Sequence, residues 1–170
     1  MMRLLIVTGM PGTGKEEFLK VAEEMNVPFI RMGDVVRETY ESSDKSMSVG
    51  EFASAERERH GYDIWAKRSL ERMSGNIFLV DGCRSMDEVN AFRSLTDDVT
   101  LIAIHSSPEA RYARLIKRNR DDAPSTLDEF MERDEREMNW GLAKIMALSD
   151  VTVPNESTLE EFRELSGELL

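Results

Sequence analysis

The run Leu4-Leu5-Ile6-Val7-Thr8-Gly9-Met10-Pro11-Gly12-Thr13-Gly14-Lys15 joins an unbroken apolar stretch to the pattern Gly-x-x-x-x-Gly-Lys. Glycines at these positions let the backbone take left-handed angles and approach a phosphate closely. Amide N–H groups then converge as an anion nest, and the lysine ammonium reaches the outer phosphates. Gly9, Met10, Pro11, Gly12, Thr13, Gly14 and Lys15 are therefore candidate residues for holding a nucleotide triphosphate such as ATP. The context strengthens the pattern. An apolar strand precedes it, and Phe18, Val21, Ala22 and Met25 follow at i, i+3, i+4 and i+7, the spacing of an amphipathic helix.

Glu16 stands where such a loop usually carries Ser or Thr to ligate magnesium. A carboxylate is a good hard-cation ligand, yet it brings negative charge toward a polyphosphate. Acidic residues in a first helical turn also simply favour the helix dipole. Both readings stay open on residue type alone. Asp81 ends the apolar run Ile77-Phe78-Leu79-Val80, where an acid at a strand tip sits beside magnesium; an Asp there can also cap the next helix. Glu16 and Asp81 are the candidate Mg2+ residues. Asp34 and His105 also fall at or just after strand ends.

Arginines gather in one region. Arg111, Arg114 and Arg118 lie three and four residues apart, on one helical face, and Arg120, Arg133 and Arg136 follow. Guanidinium groups clamp phosphoryl oxygens bidentately and stabilise their charge. The chain as a whole carries a net charge of −11 over 170 residues. That balance argues against nucleic acid and anionic membrane as partners, and makes a local basic cluster informative. Cys83 is the single cysteine, which excludes an internal disulfide framework and, with no long apolar span, points to the cytoplasm.

Elements must place these residues. Apolar runs at 4–7, 27–30, 77–80, 99–104 and 151–153 read as strands, and helical patterns separate them. Helical pieces at 49–59 and 62–73 form a flap beside the sheet. A capping box at Ser125-Thr126-Leu127-Asp128 starts a long helix that runs through Phe130, Met131, Arg133, Met138 and Ile145, and residues 157–160 cap a closing helix. The alternation predicts a three-layer α/β domain over 1–170 with a five-stranded parallel sheet and ligands at the strands' carboxyl ends.

With these residues in view, the chain resembles the nucleoside monophosphate kinase group of P-loop proteins. More closely, it is similar to an archaeal family described as related to adenylate kinase and dephospho-CoA kinase. Gly33-Asp34-Val35-Val36-Arg37 is similar to the Gly-Asp-x-x-Arg of adenylate kinase, which implies Gly33, Asp34 and Arg37 at the acceptor. Asp81-Gly82-Cys83-Arg84 resembles its Asp-Gly-x-x-Arg with one residue fewer, and implies Arg84 as a second acceptor contact. Arg114-Leu115-Ile116-Lys117-Arg118 looks like the Arg-x-x-x-Arg that opens the lid and faces ATP. Arg120-Asp121-Asp122 and Arg133 look like lid residues closing over both phosphates. The resemblance thus implies an acceptor-side flap at about 34–74, a short lid at about 118–136, and Asn155 near the adenine.

The activity this implies is transfer of the ATP γ-phosphoryl group to a small nucleotide, AMP favoured. Catalytic weight would fall on Lys15, Arg114, Arg118 and Arg133. A dephospho-CoA-like hydroxyl acceptor is the alternative, with Asp34 as its base. A nucleotide-binding switch acting through a protein partner is the third reading, favoured by Glu16.

Overall fold

The computed structural model describes residues 2–121 and 123–170; Met1 and Asp122 lie outside them. Five strands, β1 (Arg3–Thr8), β2 (Phe29–Arg31), β3 (Ile77–Asp81), β4 (Val99–His105) and β5 (Val151–Pro154), form one sheet in the order β2-β3-β1-β4-β5. Every neighbouring pair is parallel. In the central strand, Leu4 and Ile6 face one core while Leu5 and Val7 face the other. This is the period-two consequence of an apolar run covered on both faces.

Helices fill both faces. α1 (Lys15–Glu24) contributes Phe18, Leu19 and Ala22 to one core, where Phe162 of the last helix meets them. The opposite core holds Met32 and Val35 of α2 (Met32–Glu41), Ala53 of α3 (Val49–His60), Trp65 of α4 (Ile64–Leu70) and Phe92 of α5 (Met86–Arg93). Trp65 is fully buried and donates its indole N–H to the Ala53 carbonyl at 3.2 Å, which ties α4 to α3. α3 begins with a capping box, Ser48 with Glu51, that reading along the chain did not pick out.

Two expectations shift. The second strand starts at Phe29 rather than Val27, because the Val27 amide closes the end of α1 on the Ala22 carbonyl and Pro28 has no N–H to give. The long helix expected from 125 is broken. α6 (Pro108–Arg118) ends at Asn119 in left-handed geometry, and α7 (Leu127–Glu137) starts from Thr126, whose hydroxyl accepts from the Glu129 amide. A π-helical turn, Met138–Leu142, then separates α7 from α8 (Ala143–Ala147), and α9 (Leu159–Leu169) closes the chain from an N-cap at Thr158.

Gly141 is the cause of that break. Its φ is 115°, and a Cβ there would lie 2.7 Å from the Arg84 carbonyl oxygen. Gly141→Ala is therefore expected to lose about 1–3 kcal/mol of stability, read as a lower midpoint in chemical denaturation.

Candidate active site

The loop between β1 and α1 is held from behind through its carbonyls. Arg114 donates to the Gly12 carbonyl at 3.2 Å, to Ser106 Oγ at 2.8 Å and to the Asn155 carbonyl at 2.6 Å. Asn155 Nδ2 donates to the Thr13 carbonyl at 2.8 Å, and Arg111 to the Pro11 carbonyl at 3.2 Å. The buried Thr13 hydroxyl donates to the Met10 carbonyl at 2.9 Å. With its acceptors satisfied, the loop keeps its rigid shape, and the first N–H groups of α1, which have no intrahelical partner, are left to a ligand. Gly14 explains the tight fit, since its φ is 104° and a Cβ would meet Asn155 Nδ2 at 2.5 Å.

Lys15 extends over the loop, donating from Nζ to the Gly9 carbonyl at 3.1 Å. The loop borders a cavity of about 750 Å³ that continues between α2–α4, the 82–84 turn and the α6–α7 region. Ten Lys and Arg line it against five Asp and Glu, inverting the acidic balance of the chain. Gly9, Pro11, Gly12, Thr13, Gly14, Lys15, Glu16, Gly33, Arg37, Asp81, Arg84, Arg114, Arg118, Arg120 and Arg133 all contribute. Val36, Ala53 and Trp65 form an apolar wall on the α2–α4 side, and Leu142 of the turn after residue 137 also lines the cavity.

Three candidates stand apart from this lining. Met10 is buried behind the loop. Asp34 pairs with Arg37 one helical turn on. Asn155 is a brace of the loop, since its amide is bonded to Thr13 rather than turned to a ligand. The arginine face of α6 also divides. Arg111 is buried in a bidentate pair with Asp134 of α7, at 2.8 and 2.5 Å, over the Phe130 ring at 5.0 Å. It joins α7 to the phosphate loop. Arg114 lines the cavity but braces the loop, and Arg118 stands at the outer end of the same face.

Glu16 is engaged by Arg31, whose guanidinium donates to Oε2 at 3.1 Å. Arg31 was visible only as the end of a strand. Arg57 and Glu88 are two further cavity residues not singled out from the chain, meeting at 3.4 Å across α3 and α5. Arg57 sits in an alternating charge run that reads as solvated surface. Glu88 is the third residue after Ser85, and a Ser-x-x-Glu signature could have marked it; its Oε2 accepts from the Arg84 amide at 2.7 Å. Arg84 reaches the end of α7 and the turn after it, 3.8 Å from Glu137 and 5.0 Å from the Trp140 ring centre.

Burial raises the Asp81 carboxyl above its ordinary value, with Glu16 adding to the rise and Lys15, Arg31 and Arg84 opposing it. Glu88 is raised by burial as well, against the Arg84 amide and Arg57. The Cys83 thiol is pushed well up by burial beside Glu88 and Asp81, which keeps it protonated and unreactive. Asp81 Oδ1 is buried and has no hydrogen-bond partner among the described residues. A buried acceptor without a partner beside Lys15 fits a hard cation with its bound water. No cluster of three or more His, Cys, Asp or Glu is found among the described residues. Asp81 is the residue here that would hold magnesium.

Residues 8–130 match the family model described as AAA domain. A UPF0200 protein of Thermoplasma volcanium is 37% identical, covering 98% of this chain and 96% of its own. The chain belongs to these families. A UPF0200 protein of Methanopyrus kandleri is 42% identical over 95% of this chain and 85% of its own. Among solved structures, shikimate kinase from Bacteroides thetaiotaomicron superposes with a TM-score of 0.67 at 19% identity, covering 99% of this chain and 98% of that one. A second neighbour, TT1252 from Thermus thermophilus, gives 0.65 at 13% identity, over 99% of this chain and 96% of its own. At such identities the likeness establishes the fold, which is the P-loop kinase-like α/β fold with a five-stranded parallel sheet. No helix among the described residues is long and apolar enough to cross a membrane.

Asp81 carries a testable cost. Its raised folded pKa means that stability is fully present below the unfolded carboxylate range and is lost as pH rises through the folded value. Asp81→Asn is therefore expected to raise the melting temperature at neutral pH, since it removes a buried charge that costs stability there. Below the ordinary carboxylate range the gain should vanish, and a pH series of thermal melts checks it.

Proposed function

We propose that the chain is a phosphotransferase that moves the γ-phosphoryl group of ATP to a small nucleotide acceptor, with AMP favoured. The observation that carries the reading is the cavity itself. One end is a braced phosphate loop with Lys15, and the rest of the cavity, about 750 Å³ in all, offers arginines and an apolar wall. The triphosphate would lie on the loop, held by its amides and Lys15, with Arg118, Arg120 and Arg133 at the lid side. Arg114 would act through the loop it braces.

Arg37 and Arg84 would orient the acceptor phosphate for in-line attack on the γ-phosphorus, and ADP leaves as the β–γ bridging bond breaks. A phosphate acceptor is already anionic at neutral pH, so this reading asks for no general base. Asp81 would hold magnesium, which when bound neutralises charge on the transferring group. The kinase-like fold it shares with shikimate kinase supports phosphoryl transfer in general. The hydroxyl-acceptor reading is weaker, because Asp34, its base, is paired with Arg37 and stands outside the cavity lining.

The test is a phosphoryl-transfer assay with AMP and dephospho-CoA as acceptors. ADP formation from ATP and AMP is expected in the wild type. Arg37→Ala should lower AMP-dependent turnover about 10- to 100-fold, the loss of one charge-assisted contact, with ATP affinity nearly unchanged. Unaltered turnover would sink the acceptor assignment.

A further inference from the structure

Position 16 holds a carboxylate at the mouth of a phosphate loop, where its charge opposes a polyphosphate. The structure supplies a cation for it. Arg31 ends β2, in register with Asp81 on β3, and its guanidinium crosses to Glu16 on α1. It is held from two sides, by Glu16 Oε2 at 3.1 Å and by the Phe29 ring, 5.2 Å from the guanidinium carbon.

Arg31 lines the cavity beside Lys15, and its Nε is buried with no hydrogen-bond partner among the described residues. A donor left without a partner on this side chain costs stability, so the guanidinium gains by engaging an acceptor. A planar guanidinium with one nitrogen fixed on a carboxylate and its head partly exposed where it lines the cavity is pre-organised for phosphoryl oxygens.

We propose that Arg31 is a phosphate-binding residue of this site and that Glu16 is the residue that positions it. The inference rests on the nucleotide reading above and deepens it. Glu16 thereby acts through Arg31 in place of ligating the metal, and the pair brings no net charge to the loop. The ligand class is a nucleoside triphosphate, and the contact is made whether or not magnesium accompanies it.

Isothermal titration with ATP, with and without magnesium, separates the roles. The proteins are wild type, Arg31→Met, Glu16→Gln and the double variant, each with a thermal melt to establish folding. Arg31→Met should weaken ATP about 10- to 100-fold in both conditions, as loss of a charge-assisted hydrogen bond does. Glu16→Gln should keep the wild-type ratio of affinities with and without magnesium. The double variant should stay at least about tenfold weaker than wild type.

Recovery of full affinity in the double variant would mean that Arg31 only neutralises Glu16, and would overturn the phosphate contact. A flattened magnesium dependence in Glu16→Gln would make Glu16 a metal ligand and overturn the positioning role. Should Arg31→Met fail to fold, Arg31→Lys keeps the charge but cannot bridge Glu16 and ligand together, and wild-type affinity there would also overturn the proposal. Arg31→Met binding as wild type overturns this inference alone, whereas a wild type that binds no ATP overturns the nucleotide reading with it.

Discussion

The structure depends on how the carbonyls of the phosphate loop are satisfied. Arg111, Arg114, Asn155 and Thr13 take the acceptors of Pro11, Gly12, Thr13 and Met10 from the protein side. A buried loop cannot leave those groups unpaired, and pairing them this way fixes which side of the backbone faces the cavity. Three distant parts of the chain converge to do it: α6, the turn after β5, and through Arg111 the helix α7. Support of the loop and attachment of α7 thus come from the same few hydrogen bonds.

This convergence explains the split among the arginines. Spacing places Arg111, Arg114 and Arg118 on one face of α6, and the structure keeps them there. What each arginine meets is set by residues far along the chain. Asp134 is 23 positions from Arg111 and Asn155 is 41 from Arg114. Periodicity reports a face but not its partner, so a buried ion pair and a backbone brace look like members of a phosphate clamp. Asn155 illustrates the same limit, as a residue foreseen near the nucleotide whose amide is bonded to the loop backbone.

The sheet was legible because its signal is local. Unbroken apolar runs ending in Thr8, Asp81 and His105 need burial on both faces, and the alternation of Leu4 and Ile6 with Leu5 and Val7 between two cores follows from strand geometry. The interruption between α7 and α8 was not legible. Gly141 looks like a tolerated helix glycine, and only the Arg84 carbonyl packed against it reveals why a side chain cannot fit. Arg31, Arg57 and Glu88 escaped for a related reason, since each gains its place in the cavity from the register or packing of a neighbouring element.

An acidic chain has folded so that ten of its 22 basic side chains line one cavity, and that separation of charge is the physical core of the account. Titration of the wild type with adenosine, AMP, ADP and ATP tests it most directly. The account predicts affinity rising with phosphate number, weakening with salt, and a marked loss of ATP binding in Lys15→Ala. Equal affinity for adenosine and ATP, or ATP binding indifferent to Lys15, would contradict it.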